Sequence, residues 1–230
     1  PVYHKAFVNN AKFTLIFLTL PIAMGLFGAA LLAPVKRGHM LFRVSFFMPS
    51  VIASVVNAGA WRNILHPTRG IGAILAEHGL TFMKVPFFGS PRYALYSIAM
   101  ITNWQRWGFL VVLYLAAMQA VNVELYESAR IEGANRWQEF RHVTLPSILP
   151  NLVFTLLMSV IWSFLAFDYV YLITQGGPAY ASEVLATLLF RAAFQQFEAG
   201  YAAAIGVTMS LVCALVVAMF AILRRRGWEL

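Results

Sequence analysis

Charge is what this chain lacks most. Only 11% of its 230 residues are Asp, Glu, Lys or Arg, against about 25% in a soluble domain. So few charges cannot cover a water-soluble fold of this size, which makes lipid the solvent for most of it. Acids are scarcer than bases, 9 against 17. The bases stand at the ends of apolar runs, where membrane proteins keep them, and this placement excludes a nucleic-acid-binding stripe. Cysteine is nearly absent: Cys213 stands alone in an apolar run, so no intrachain disulfide is available and the redox compartment is left unread. No lysine follows a glycine, so a phosphate loop is missing. His4, His39, His66, His78 and His142 form no helical ligand pair with an acid between them, so no metal site is expected. There is no Gly-x-Ser-x-Gly elbow either. Neither a catalytic residue nor a cofactor is expected in the chain itself.

What the chain has instead is apolar length. Hydrophobic residues make up 60% and aromatics 15%. Five runs are long enough to cross a bilayer, which takes roughly 20 helical residues: Phe13–Val35, Val44–Trp61, Tyr93–Met118, Val143–Phe167 and Ala199–Leu223. Helices are expected, because a barrel would need short alternating strands; Pro21, Pro49 and Pro150 are tolerated where neighbouring helices satisfy freed backbone groups. The expected fold is therefore all-α, one polytopic membrane domain over residues 1–230, with five transmembrane helices. More than half of the 17 basic residues, among them Lys36, Arg37, Arg43, Arg130, Arg136, Arg141 and Arg224–Arg226, fall on one side. Their density beside the spans predicts that this side is cytoplasmic. A loop at about 119–146 then lies in the cytosol, and outer loops lie at about 62–92 and 173–198. With the C-terminus inside, Pro1 is expected outside.

The 119–146 loop is the most informative stretch. It reads Glu127-Ser128-Ala129, three residues, Gly133, nine residues, then Val143-Thr144-Leu145-Pro146. Val121, Leu125 and Ala129 recur at helical spacing after the cap candidate Asn122, which predicts a short amphipathic helix. Gly133 permits a sharp turn. A second short helix is predicted beyond it, with Trp137 and Phe140 on one face. Periodicity leaves two readings open for this pair: a plug seated in a partner's groove, or rings lying flat at the headgroup level.

The spacing from Glu127 to Pro146 resembles the EAA loop of permease subunits in binding-protein-dependent ABC importers. Ser128 replaces an alanine, Val143 an isoleucine, and Val123 stands where the family pattern has proline; every other spacing is kept. The likeness continues in Phe42-Arg43, Met48-Pro49, Trp61-Arg62, Phe167-Asp168, Leu172-Ile173-Thr174-Gln175-Gly176-Gly177-Pro178, Ala193-Phe194 and Gly200-Tyr201-Ala202-Ala203. These resemble the carbohydrate-uptake branch, of the maltose, glycerol-phosphate and multiple-sugar permease type. The resemblance implies a type I ABC importer permease in the cytoplasmic (inner) membrane of a prokaryote, with a further helix before Pro1. It implies a second homologous permease subunit, two cytosolic ATPase subunits that bind ATP and Mg, and an extracytoplasmic substrate-binding protein, with no nucleic acid. Glu127, Ser128, Ala129, Gly133, Trp137, Phe140, Leu145 and Pro146 would form the ATPase-coupling loop. The implied solute is a carbohydrate or polyol phosphate; a permease for another small polar solute is the alternative. An ion-coupled secondary transporter would need its own carboxylate site, and Asp168 is the single acid inside a span.

Two charges inside spans complete the candidates. Arg106 lies in Trp104-Gln105-Arg106-Trp107, and Asp168 lies beside Tyr169 and Tyr171. Intramembrane ions usually face a bundle interior or an aqueous cavity. Arg106, Trp104, Trp107, Asp168 and Tyr169 are thus candidates for the wall of a solute path; an Arg106–Asp168 pair or a snorkelling arginine is the structural alternative. At 3.6 residues per turn, Trp104 and Trp107 share one face, from which Arg106 is displaced.

Overall fold

The computed structural model describes residues 2–35, 38–80 and 85–225, with side chains to residue 222. Lys36, Arg37 and Arg226, which entered the charge argument, lie outside the described residues. The chain runs as α1 (Val2–Leu32), α2 (His39–Val51), α3 (Ser54–Ile64), α4 (Ile71–Glu77), α5 (Ala94–Gln119), α6 (Val123–Ile131) and α7 (Arg136–Glu139). After a π-helical stretch at Phe140–Thr144 come α8 (Leu145–Ser147), α9 (Leu149–Phe164), α10 (Asp168–Ile173), α11 (Leu185–Phe190), a second π-helical stretch at Arg191–Gln195, and α12 (Ala199–Arg225). No strand occurs among the described residues, so the all-α expectation holds. Three helical segments are long and apolar enough to span alone; five spans result when each of two bent pairs, α2–α3 and α5–α6, is counted.

Three expected spans differ in detail from the observed helices. The first helix begins at Val2 rather than Phe13 and runs for 31 residues, because hydropathy marks the lipid-facing part of a helix and not its ends. At 1.5 Å per residue it is roughly 46 Å long. The run Val44–Trp61 is not one helix: α2 and α3 meet at 94°. Pro49 removes an amide from the last turn of α2, and Ile52 turns extended at φ −69°, ψ 127°. Gln105 of α5 repairs the break, its Nε2 donating to the Ile52 carbonyl at 2.9 Å, while Ser50 Oγ donates to the Gln105 carbonyl at 2.8 Å. The run Val143–Phe167 starts in the π-helical stretch, restarts at α9 with Pro150 in its first turn, and stops at Phe164 before α10 continues the span to Ile173.

With lipid outside, helices associate through close backbone approach and interhelical hydrogen bonds. A Cβ on Gly25 would stand 2.7 Å from Leu110 Cβ, and one on Gly28 2.7 Å from Val111 Cγ2, so α1 lies hard against α5. Gly108 faces the Phe46 carbonyl of α2 with no room for any Cβ. Tyr114 OH and Thr155 Oγ1 join α5 to α9 at 2.6 Å, and Asn57 Nδ2 donates to Tyr169 OH at 2.7 Å, joining α3 to α10. Around these contacts sit three buried clusters. One holds Phe13, Phe17, Ile98, Tyr169 and Val184. A second holds Ala29, Val111, Tyr114, Ile148 and Leu152, next to the 119–146 end. The third holds Ala6, Phe164, Leu185 and Ile205. Much of α12 is left outside them, with Val207, Leu211, Leu215, Met219 and Ile222 exposed.

The Gly108 contact generates a test. Gly108→Ala should force α2 away from α5 and destabilise the fold by about 1–3 kcal/mol or more. Gly59→Ala, which meets nothing within 4 Å, should change stability by less than about 1 kcal/mol. Thermal unfolding of the two detergent-purified variants checks both; equal melting points would contradict the packing described.

Candidate functional site

The 119–146 loop is built by local capping. Asn122 caps α6, its Oδ1 accepting from Glu124 N at 3.1 Å. Gly133 turns the chain at φ +84°, with open space where a Cβ would be. Conformation, not room, is what selects glycine there. Asn135 then forms a reciprocal capping box with Gln138: Asn135 Oδ1 accepts from Trp137 N and Gln138 N at 3.0 Å, and Asn135 N donates to Gln138 Oε1 at 2.8 Å. Arg130 Nε donates to Glu139 Oε1 at 2.7 Å, locking α6 to α7. That hydrogen bond, with the charges of Arg130 and Arg136, holds the Glu139 carboxyl below the usual carboxylate range. Tyr126 OH and Thr144 Oγ1 meet at 2.9 Å across the loop.

The predicted helix–glycine–helix element is thus present, with one correction. Trp137 and Phe140 do stack, with centroids 5.8 Å apart, but only Trp137 faces out, at 66% exposed. Phe140 is half-buried and packs, with Leu145, on the cluster of Tyr114 and Ile148. The ring nearer the spans has an apolar surface to cover, so it anchors the loop instead of extending the plug. Ile131, at 88% exposed, is the outward apolar residue that the sequence reading missed; it closes α6 one step before the turn. Ser128, Ala129 and Gly133 line a groove of about 420 Å³ together with Leu125, Gln138, His142 and Val143. Glu127 lies exposed on α6, and Pro146 is exposed in the first turn of α8.

The intramembrane candidates separate into two groups. Arg106, Asp168 and Tyr169 line one cavity of about 290 Å³, with Phe13, Phe17, Ser54, Thr102 and Gln105. It opens where two helix breaks come together, Ile52–Ala53 between α2 and α3, and Leu165–Phe167 between α9 and α10. Arg106 lies over the rings of Trp162 and Phe17, 4.7 and 5.7 Å from their centroids. Its Nε is buried and has no hydrogen-bond partner among the described residues. No ion pair joins Arg106 to Asp168 among those residues. Trp104 and Trp107 do not flank Arg106, contrary to the expectation that they share its wall. Trp104 turns to Trp61, 5.4 Å edge to face, and lines a separate apolar groove with Leu65, Tyr93 and Met100. Trp107 packs edge-on against Phe46 at 4.9 Å. Helical offset rules out convergence of the three side chains, and Trp162, distant in sequence, supplies the ring instead.

A polar cluster at the opposite end was not anticipated. Glu183 is fully buried, and burial pushes its carboxyl above the usual range, opposed by Thr187 and Arg191. Arg191 Nη2 reaches Glu183 Oε2 and the Gln175 carbonyl, each at 2.7 Å. Asn10 Nδ2 donates to the Ser163 carbonyl at 3.0 Å, and Asn10 Oδ1 accepts from Leu185 N at 2.7 Å. Asn9 Nδ2 donates to the Glu183 carbonyl at 2.9 Å. The signal for these residues was weak: two adjacent asparagines and one acid in stretches otherwise read as loop or helix end.

Comparison with known proteins places these features among relatives. Residues 13–228 match the family described as "Binding-protein-dependent transport system inner membrane component". The probable ABC transporter permease protein YurN of Bacillus subtilis is 33% identical over 222 residues, covering 95% of this chain and 76% of that protein. The multiple sugar-binding transport system permease protein MsmF of Streptococcus mutans is 28% identical over 214 residues, 93% of this chain and 73% of that one. Among solved structures, a chain of the bacterial alginate ABC transporter in complex with alginate pentasaccharide-bound periplasmic protein superposes with a TM-score of 0.88. It is 26% identical over 98% of this chain and 79% of that one.

Two of the glycines that turn left-handed, Gly133 and Gly176, should respond differently to a methyl group. Gly133→Ala meets nothing and should cost about 1–2 kcal/mol, the backbone penalty alone. Gly176→Ala, at φ +83° and directly against the Glu183 carboxylate, should cost more and open the 173–198 segment to protease. Limited proteolysis of both variants checks this; a Gly176→Ala protein as resistant as Gly133→Ala would contradict it.

Proposed function

Since the chain belongs to the family of binding-protein-dependent transport system inner membrane components, and is a multi-pass permease subunit of an ABC importer, we propose that it moves a carbohydrate or polyol-phosphate solute. In this reading its 119–146 loop is cytosolic and seats in a cytosolic ATPase subunit. Two such subunits supply ATP hydrolysis with Mg, a second homologous permease completes the path, and an extracytoplasmic binding protein delivers solute. Sugar transport by MsmF and the alginate importer, as their names state, supports the solute class.

The observation that carries the coupling role is mechanical continuity. The loop presents Trp137 and Ile131 outward while Phe140 and Leu145 are embedded in the α1–α5–α9 cluster. Between these two surfaces lie only short, capped helices, the Arg130–Glu139 bridge and the π-helical stretch. A push on Trp137 therefore reaches α9 without a slack linker to absorb it. Closure of the ATPase pair would tilt the loop, and the tilt would pass to the helix breaks that frame the 290 Å³ cavity. Broken helices at mid-membrane depth expose backbone polar groups to a lumen, the arrangement that transport sites use. Arg106 brings donors in a fixed planar fork, Asp168 an acceptor, and the Phe13 and Phe167 side chains in the cavity wall an apolar surface for a sugar ring.

Three measurements test the reading. Gly133→Val should lower ATP-driven uptake on the order of 5–150-fold, the span of a typical coupling energy, while ATP hydrolysis persists; normal uptake at normal expression would rule out docking through this loop. Arg106→Gln should reduce uptake about 10–100-fold, as expected for a lost hydrogen bond from a charged donor, with assembly intact. An unassembled Arg106→Gln protein would make the residue structural. Finally, in a Cys213→Ala background, thiols placed at Arg69 or Pro178 should react with an impermeant reagent from outside, and one at Arg136 should not. Labelling at Arg136 in sealed cells would invert the orientation.

A further inference from the structure

At the end opposite the 119–146 loop, residues 171–195 enclose a second cavity of about 300 Å³, which shares no lining residue with the mid-membrane one. Its wall is polar and aromatic: Tyr171, Gln175, Tyr180, Phe190, Arg191 and Gln195 all face it.

Three observations mark this cavity as built. Its backbone is strained: Gln175, Ala179 and Tyr180 have φ of 52°, 49° and 61°, a region that residues with a Cβ avoid and that folds retain where a site needs it. Its walls are also fixed. Lys5 Nζ donates to the Ala179 carbonyl at 3.1 Å, Asn9 Nδ2 to the Ala181 carbonyl at 3.1 Å, and Ser182 Oγ to the Gly177 carbonyl at 2.6 Å. Arg191 braces the Gln175 carbonyl and Glu183 as described, and stacks over Tyr180 at 5.1 Å. Lastly, hydrogen-bonding capacity is left unspent. Arg191 uses only Nη2, and the side-chain amides of Gln175 and Gln195 and the hydroxyls of Tyr171 and Tyr180 have no protein partner among the described residues.

We propose that this cavity binds one pyranose unit of a saccharide, as an outer subsite that solute meets before the mid-membrane path. A sugar ring presents neighbouring hydroxyls around its rim and C–H groups on its faces. The side-chain amides of Gln175 and Gln195 and the Arg191 guanidinium match the first, and the edge-to-face Tyr171–Phe190 pair, 5.0 Å apart, matches the second. The volume stands at the lower end of ligand pockets, about 300–1,000 Å³, which fits one ring and not a chain. An acyl chain is excluded by the polar wall. A divalent cation is excluded because no acid among the described residues lines the wall, and Glu183, buried behind it, already pairs with Arg191. Lys5, Arg62 and Arg191 all donate to carbonyls of residues 172–179, so the mouth is cationic and accepts a uronic acid as readily as a neutral sugar.

The inference rests on the carbohydrate reading above, and its test separates the two. The complete assembly in nanodiscs, without nucleotide or binding protein, is titrated with maltose and with digalacturonate while saturation transfer to the sugar protons is followed by NMR. At least one sugar should show saturable transfer. Tyr180→Phe, which keeps the ring over Arg191, and Gln195→Ala should each weaken it about three- to tenfold, the worth of one hydrogen bond, and more so together. Arg106→Gln, in the other cavity, should leave the outer signal in place. Equal binding by wild type and the double variant, or a signal lost only with Arg106→Gln, would overturn the outer subsite while leaving a carbohydrate importer intact. Failure of cells to take up any sugar of a broad panel would sink the carbohydrate reading itself. Size-exclusion profiles identify a variant that fails to assemble, in which case the remaining single variant decides.

Discussion

A backbone carbonyl inside a bilayer has no water to turn to, so each interruption of a helix must be answered by a side chain from a neighbour. The architecture depends on one such answer. Where α2 stops, Gln105 of α5 supplies its amide to the Ile52 carbonyl, and Ser50 returns the favour to the Gln105 carbonyl. This exchange lets the chain bend by 94° without an unpaired group at that carbonyl. It also sets the face of α5: with Gln105 turned to the break, Arg106 is carried into the cavity, and Trp104 and Trp107 are carried away from it. The second break, at Leu165–Phe167, is framed by the same helix, so one polar register on α5 organises both.

The two ends of the molecule use polar groups differently. The 119–146 end is exposed to water, and its hydrogen bonds are caps and a surface ion pair that give shape more than stability. The opposite end buries its polar groups. Glu183, Asn9 and Asn10 are withdrawn from solvent, where each hydrogen bond is stronger and each unmade one more costly. A shaped handle and a stiffened mouth are what a vectorial path requires of its two faces.

Much of this was legible in the chain. The all-helical class followed from charge scarcity and apolar run length. The loop followed from an unusual polar spacing, because caps and a turning glycine are local devices written in adjacent residues. The breaks were not legible: Pro49 and Pro150 were expected to be tolerated within continuous spans, but whether a proline kinks a helix or ends it depends on whether a partner such as Gln105 stands opposite. The cavity was half legible, since a charged residue in a span announces a site and not its company. Trp162 sits far along the chain, and only packing brings its ring to Arg106. Phe140 turned inward for the same reason: its fate was set by the apolar cluster beneath it.

The length of α1 has a consequence of its own. A helix of 31 residues is longer than a hydrocarbon layer about 30 Å thick. At its first turns Lys5 and Asn9 grip the strained segment, while Ala29 and Leu32 are embedded beside the loop end. One unbroken rod thus touches both mouths of the molecule. Under the proposed importer mechanism, a displacement at one end would be carried along this single helix to the other.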